Sequence, residues 1–409
     1  MDRGMVIVGA GECGVRAAFA LREAGYAGPV ALIGKESHLP YARPPLSKAF
    51  LVSDDVLTAP SIVARDNMEA HGIDFIDGNP VVAIDRVAKI VLLGNERAIS
   101  YDKLLLATGA VPLKLNLACS SPRVAYLRTV DDALSIRSRL TEGGRLMVIG
   151  GGFIGLEVAA SARRRGVHVV VVEAQPRILM RGVPVEVADV VHSAHSSAGV
   201  NLLCGESVCA FRESGGSLQV YLASGRTISA DLVVVGIGVT PATDLAESTG
   251  LALDNGIVVD DRLQSSDPDI FAAGDCCSFP LNIYGGRRIR LESWRNAQEQ
   301  GELAAKNMLG GGLKHAAIPW FWSDQYGLTL QVAGLPEAGN VTVRRTLENG
   351  AFIVFHLDDG RLVAASGIGS AQAVGRDIRV AEMLIAARSR PDLVDLASPQ
   401  IKLKRLLAA

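Results

Sequence analysis

No apolar run in this 409-residue chain approaches the roughly 18 residues that a membrane-spanning helix needs. Runs such as residues 169–172 and 232–235 are strand-sized. A membrane is therefore not an expected partner. Neither sign of charge dominates: 41 Lys and Arg face 43 Asp and Glu, for a net charge of -2, so nucleic acid is not an expected partner either. No C-x-x-C occurs and no Cys/His spacing resembles a zinc site, so no metal is expected. Cys13, Cys119, Cys204, Cys209, Cys276 and Cys277 read as reduced thiols in packing positions, and the adjacent Cys276 and Cys277 could pair only with strain. Low-complexity linkers are absent. The N-terminus enters an apolar strand at residues 5–8 without the layout of a secretory signal, so the expected location is the cytoplasm.

What is present is a large, ordered core: 49% of residues are hydrophobic and 21% charged. The length suits two or three domains. Strand, glycine turn and amphipathic helix occur twice. The first set is residues 5–8, 12–25 and 30–33; the second is 146–149, 153–166 and 167–172. The two copies lie about 141 residues apart, an internal repeat of a βαβ unit. Short strands with hairpin-like turns follow each copy, at residues 81–84, 90–93 and 104–107, then 218–222, 227–228 and 232–235. A further segment, residues 257–274, follows the second unit. From Pro319 onward the texture changes to aromatic and β-branched alternation, with a helix expected near residues 376–388. This end reads as a separate α+β domain.

Each repeat carries a dinucleotide fingerprint. In the first, Gly9, Gly11 and Gly14 allow a tight turn, close approach of the backbone to a pyrophosphate, and close helix–strand packing. Glu36 lies 22 residues beyond Gly14, after a second strand, where a carboxylate can accept from ribose hydroxyls. In the second, Gly150, Gly152 and Gly155 are followed by Glu173, 18 residues past Gly155. Two fingerprints in one chain suggest a flavin dinucleotide and a nicotinamide dinucleotide. Glu173 would bond a free ribose hydroxyl and repel a phosphate in its place, favouring NADH, though Arg177 and Arg181 nearby temper that preference. Ala107, Thr108 and Gly109 end one strand; Ala273, Gly274 and Asp275 end another. Asp275 reads either as a partner for a polyol chain or as a plain turn residue. Residues 41–48, Tyr-Ala-Arg-Pro-Pro-Leu-Ser-Lys, form a rigid, basic stretch unlike an ordinary loop.

With these motifs the chain resembles the NADH-dependent ferredoxin reductases of bacterial oxygenase systems, the putidaredoxin reductase type, and more distantly apoptosis-inducing factor. The matching segments are residues 9–14, 43–48, 101–110, 127–129, 150–157, 270–275, 293–301 and 319–325. The resemblance implies an α/β fold of glutathione-reductase type, with two Rossmann-type dinucleotide-binding domains and a C-terminal α+β domain. The expected boundaries are residues 1–110 and 241–318 for FAD, 111–240 for NADH, and 319–409 for the C-terminal domain. It also implies that a hydride passes from NADH to FAD, and single electrons then pass to a two-iron, two-sulfur ferredoxin that feeds an oxygenase.

Residue by residue, the resemblance assigns Gly9, Gly11, Gly14 and Glu36 to the adenine half of FAD. Arg43, Lys48, Val82, Arg128, Asp275 and Trp294 are assigned to its other parts, with Ala107, Gly109 and Gly274 on the neighbouring strand ends. Gly150, Gly152, Gly155, Glu157 and Glu173 are assigned to NADH, and Gly238 more weakly. Lys48 and Glu157 are expected together beside the flavin ring as the catalytic pair, unless they form only a structural ion pair. Trp320 is expected near the isoalloxazine. Glu12 departs from the pattern by placing a carboxylate inside the first glycine motif, and it is expected to point away from the pyrophosphate. Residues 36–51 hold no cysteine, which argues against a disulfide reductase or a cysteine-dependent NADH oxidase. A small-molecule reductase and a signalling flavoprotein like apoptosis-inducing factor remain as alternatives. Lys402, Lys404 and Arg405 read as a solvated tail or as part of a basic rim for an acidic ferredoxin.

Overall fold

The computed structural model describes residues 3–53, 61–117 and 121–407, so Cys119 lies outside the described residues. The chain divides into two compact units. Unit 1 comprises Met1–Ala42, Ala59–Val111 and Thr240–Ala317; unit 2 comprises Arg43–Thr58, Pro112–Val239 and Ile318–Ala409. The chain is of mixed α/β class throughout.

In unit 1 the strand Gly4–Val8 lies between Val30–Ile33 and Ala98–Leu106, parallel to both. The strand Ile270–Ala272 extends the parallel sheet on the far side of Ala98–Leu106. All five residues of Gly4–Val8 are buried, as a strand covered on both faces requires. The helix Glu12–Glu23 packs its small residues Ala17, Ala18 and Ala20 inward and is closely paired with the helix Trp294–Met308. It ends before Gly25, whose φ of 85° is the left-handed turn that stops a helix. Ala98–Leu106 begins six residues before the expected 104–107 strand. Ile99 and Tyr101 are buried there between less buried neighbours, a period of two broken to the eye by Asp102 and Lys103.

In unit 2 a parallel sheet runs Asn201–Cys204, His168–Glu173, Arg145–Ile149, Leu232–Val235, Val124–Tyr126. An antiparallel three-stranded sheet follows from Val208–Ser214, Ser217–Leu222 and Thr227–Ala230. The C-terminal segment forms a five-stranded antiparallel sheet with the helix Ala371–Ala386 against it. That helix starts five residues before the expected 376. Ser370 caps it by accepting from the Ala373 backbone N–H, and Val374 is buried in its first turn. One core joins the second dinucleotide fold to the C-terminal sheet: Leu156, Ile178, Val187 and Val191 pack with Leu330, Val332, Phe352 and Ile368.

Burial has a cost that pH reveals. The imidazole of His315 packs edge-on against Phe279, and neither ring nitrogen has a hydrogen-bond partner among the described residues. Desolvation lowers the pKa of His315 and of His356 to about 4, and lowers that of His195 as well. The unfolded chain binds these protons near pH 6.5 and the folded chain does not. Stability is therefore full above pH 6.5 and is lost as pH falls toward 4. For His315 the loss is on the order of 3 kcal/mol. The melting temperature should fall between pH 7 and 4.5, and His315→Phe should flatten that fall. Parallel curves for the two proteins would show that His315 does not contribute.

Candidate functional site

The two glycine motifs are built alike. Gly9 has a φ of 114°, and a Cβ on it would overlap the Ala107 carbonyl, so the loop can close against the neighbouring strand only with glycine. A Cβ on Gly14 would overlap the Gly9 carbonyl in the same way. Gly11 is different: it is the N-cap of Glu12–Glu23, no side chain caps it, and a Cβ there would meet nothing within 4 Å. Gly152 repeats this at the N-cap of Phe153–Arg164, while Gly150 and Gly155 are hemmed in by the Gly236 and Gly150 carbonyls. The chain keeps glycine where it needs no room for itself and leaves the N–H groups of both helix ends uncapped. That is the shape and polarity that a pyrophosphate requires.

Glu173 is the last residue of its second strand, His168–Glu173, and Glu36 lies three residues past the end of Val30–Ile33. The Tyr41 hydroxyl donates to Glu36 at 2.5 Å. Glu173 accepts from the backbone N–H of Gly151 at 2.6 Å and of Gln175 at 2.7 Å, which pins its carboxylate against the second glycine loop. Arg177 is committed to the carbonyls of Ile178, Leu179 and Val183, and Arg181 is exposed. Glu12 accepts from Gln298 at 2.6 Å, on the neighbouring helix Trp294–Met308.

In unit 1, Gly109 and Gly274 end the strands Ala98–Leu106 and Ile270–Ala272 with φ of 73° and 79°. Gly274 donates its N–H to the Gln300 side chain at 2.8 Å, and Asp275 follows in the short turn Gly274–Cys276. Ala107 donates to the Val8 carbonyl at 2.8 Å. Trp294 opens the helix Trp294–Met308, and Val82 is exposed on Val81–Asp85. In unit 2, Arg43 donates to the Arg128 carbonyl at 2.6 Å, which brings two assigned residues together. Gly238 has a φ of 119°, and its carbonyl accepts from the Leu113 N–H at 2.9 Å. Trp320 stacks on Trp322 with centroids 5.2 Å apart.

The strongest convergence is around Glu157. The helix Phe153–Arg164 presents Phe153, Glu157 and Ser161 at spacings of four, on one face. Lys48 Nζ lies 2.9 Å from Glu157 Oε1, with the carboxylate side chain only 3% exposed and the lysine 23%. Ser47 donates to Oε2 at 2.5 Å and Ser323 to Oε1 at 2.6 Å. Ser161 donates to the Ser47 carbonyl at 2.8 Å, which ties the rigid 3-10 turn Pro44–Ser47 to the helix. The sequence reading found Lys48 and Glu157 but not Ser47 or Ser323.

Cys13, Cys204, Cys209, Cys276 and Cys277 are free. Burial pushes the thiols of Cys13, Cys276 and Cys277 up, so thiolate, the reactive form, is scarce at each. No cluster of three or more His, Cys, Asp or Glu side chains is placed to hold a metal ion among the described residues, and no helix there is long and apolar enough to cross a membrane. The segment Leu403–Leu407 is anchored by buried Leu403 and Leu406, while Lys404 and Arg405 on it and Lys402 just before it are exposed.

Residues 3–301 match the pyridine nucleotide-disulphide oxidoreductase family, and residues 320–407 match the reductase C-terminal domain. The chain belongs to the pyridine nucleotide-disulphide oxidoreductases. This oxidoreductase is 42% identical to the ferredoxin–NAD(+) reductase component of the anthranilate 1,2-dioxygenase system of Burkholderia cepacia, over 98% of each chain. It is 38% identical to putidaredoxin reductase of Pseudomonas putida, over 99% of this chain and 97% of that one. The reductase in a covalent putidaredoxin reductase–putidaredoxin complex superposes with a TM-score of 0.92, at 36% identity and over 100% and 98% of the two chains. The fold is thus of glutathione-reductase type, with two dinucleotide-binding folds and a C-terminal domain.

Proposed function

We propose that this oxidoreductase is an FAD-dependent NADH:ferredoxin reductase that supplies electrons to an oxygenase. The observation that carries the reading is the Lys48–Glu157 pair at 2.9 Å, set between an uncapped glycine helix and the C-terminal strand Trp320–Gln325. When bound, FAD accepts two electrons from NADH at once and releases them singly, which lets a two-electron donor serve a one-electron acceptor.

The chain's own residues bind and orient. Gly9, Gly11 and Gly14 with the N-terminus of Glu12–Glu23 hold the FAD pyrophosphate, and Glu36 its ribose. Arg43, Val82, Ala107, Gly109, Arg128, Gly274, Asp275 and Trp294 hold its remaining parts. Gly150, Gly152 and Gly155 hold the NADH pyrophosphate, with Gly238 beside the same fold. Lys48 would supply a positive charge to the flavin ring, Glu157 holds that charge at 2.9 Å, and Trp320 would contribute to holding the ring. In this reading residues 1–110 and 241–318 form the FAD domain, 111–240 the NADH domain and 319–409 the C-terminal domain, and the protein works in the cytoplasm.

Glu173 supports NADH over NADPH, because a carboxylate pinned against the second glycine loop would repel a 2′-phosphate on a ribose bound there. Arg177 directs both terminal nitrogens at backbone carbonyls, which engages the donors that would clamp such a phosphate. Wild type should prefer NADH by at least about 100-fold in kcat/KM, and Glu173→Ala should narrow the preference about tenfold. Equal efficiency with both nucleotides in the wild type would contradict this role.

The acceptor is tested by following the two half-reactions across salt. An acidic ferredoxin steered by the exposed Lys402, Lys404 and Arg405 should be reduced more slowly as salt rises, since screening shortens the field to roughly 8 Å at about 0.15 M. Reduction by NADH should change little. A ferredoxin rate that is indifferent to salt would refute charge-steered docking.

A further inference from the structure

The face of helix Phe153–Arg164 that carries Glu157 is matched by one face of the strand Trp320–Gln325. Side chains two apart on a strand share a face, and here Phe321 packs edge-on against Phe153, with centroids 5.1 Å apart. Ser323 reaches Glu157 at 2.6 Å, and Gln325 reaches His195 at 2.6 Å. Gln325 Nε2 donates back to Ser323 Oγ at 3.1 Å. Behind His195, the Tyr326 hydroxyl lies 3.2 Å from Nδ1, with the two rings edge to face. His195 is fully buried, and Ser323 and Ser47 are each 2% exposed.

The chain of bonds has a definite sense. Desolvation keeps His195 neutral. With its proton on Nε2 it donates to the Gln325 oxygen, and Nδ1 accepts from Tyr326. The amide of Gln325 is then oriented so that its N–H groups face Ser323. The Ser323 oxygen is occupied as an acceptor, and its own proton is directed at Glu157. The terminal torsion of a glutamate is broad, so a carboxylate held by one lysine can swing. Glu157 is instead held at both oxygens, by Ser47 on Oε2 and by Ser323 and Lys48 on Oε1.

We propose that Ser323 is a positioning residue for the reaction: it fixes the carboxylate of Glu157, and through it the ammonium of Lys48, and is itself aimed by Gln325, His195 and Tyr326. The inference rests on the reading of Lys48 and Glu157 as the charged pair beside the flavin. It makes the C-terminal domain part of the machinery for taking electrons from NADH, in addition to any part it plays toward the acceptor.

The test uses the full-length, FAD-loaded protein and Ser323→Ala, Ser323→Thr, Glu157→Gln and the Ser323→Ala/Glu157→Gln double variant. Ser323→Ala should slow flavin reduction by NADH on the order of tenfold, while re-oxidation by ferricyanide changes less than about twofold. Its flavin midpoint potential should move to more negative values, because a loosened lysine no longer opposes the charge that reduction adds. Its melting temperature should stay within a few degrees of wild type. Ser323→Thr should restore both rate and potential. In the Glu157→Gln background, Ser323→Ala should add no further loss, since it acts through the carboxylate. If Ser323→Ala will not retain flavin, Gln325→Leu, which removes the aim without touching Glu157, should slow the same step by several-fold. A wild type reduced normally by NADH, beside a Ser323→Ala or Gln325→Leu variant with unchanged rate and potential, overturns the proposal alone. The same tenfold loss in the Glu157→Gln background also overturns it. A wild type that NADH does not reduce overturns the underlying reading of the pair.

Discussion

The Gly11→Val variant should fold and purify colourless. A Cβ at this position meets no atom of the chain within 4 Å, and the backbone φ of -83° is open to any residue. The cost to the apoprotein is only that of a poorer N-cap, about 1 kcal/mol, or a few degrees in melting temperature. The space it fills is the approach to the uncapped N–H groups of Glu12–Glu23, where the FAD pyrophosphate is assigned. Affinity for FAD should fall by more than about 100-fold, or roughly 2.8 kcal/mol. Gly9→Ala should differ in kind. It forces a φ of 114° on alanine and drives its Cβ into the Ala107 carbonyl, so folding itself should suffer. Isothermal titration of the apoprotein with FAD, beside its melting curve, separates the two effects. A Gly11→Val protein that binds FAD normally would place the pyrophosphate elsewhere.

Lys48→Met should slow flavin reduction by NADH by about two orders of magnitude. A fixed charge aimed at a site of developing charge contributes on the order of 3 kcal/mol to the rate. The same substitution strips a nearly buried carboxylate of its cation, since Glu157 is 3% exposed and Lys48 is its ion-pair partner at 2.9 Å. Breaking such a pair costs about 3–5 kcal/mol of stability, so the melting temperature should fall too. Lys48→Arg keeps the charge and should recover most of the stability. It should recover less of the rate, because a planar guanidinium does not place charge where a compact ammonium does. Stopped-flow reduction and thermal melts on the three proteins separate charge from geometry. An unchanged reduction rate in Lys48→Met would reduce the pair to a structural ion pair.

Both dinucleotide folds were legible because their signal is local. A strand, three glycines at fixed spacing, a helix and a carboxylate at the end of the next strand lie within about thirty residues, and the strands and helices fall within a few residues of the expected spans. The two boundaries that moved did so for local reasons. Asp102 and Lys103 masked the alternation of Ala98–Leu106, and the Ser370 cap of Ala371–Ala386 was overlooked. The surroundings of Glu157 were not legible. Ser47 and Ser323 stand 110 and 166 residues from it. Ser323 joins it because the C-terminal sheet shares a core with the second dinucleotide fold, and Ser47 because Ser161 ties its turn to the same helix. The four-residue spacing of Phe153, Glu157 and Ser161, and the alternation of Phe321, Ser323 and Gln325, mark two polar-bearing faces. Only the folded chain shows that they meet. Glu12 is expected from sequence to point away from the pyrophosphate, but its partner Gln298, on a helix 286 residues away, is not legible there.

Electrons from NADH leave this protein one at a time to an iron–sulfur partner. The direct measurement is steady-state NADH oxidation by the FAD-loaded enzyme with separate acceptors: a two-iron, two-sulfur ferredoxin from the same genome, ascorbyl radical, and oxygen alone. Turnover should be rapid with the ferredoxin and slow with the other two. Turnover that is fast with ascorbyl radical or oxygen, and absent with every ferredoxin of the genome, would contradict it.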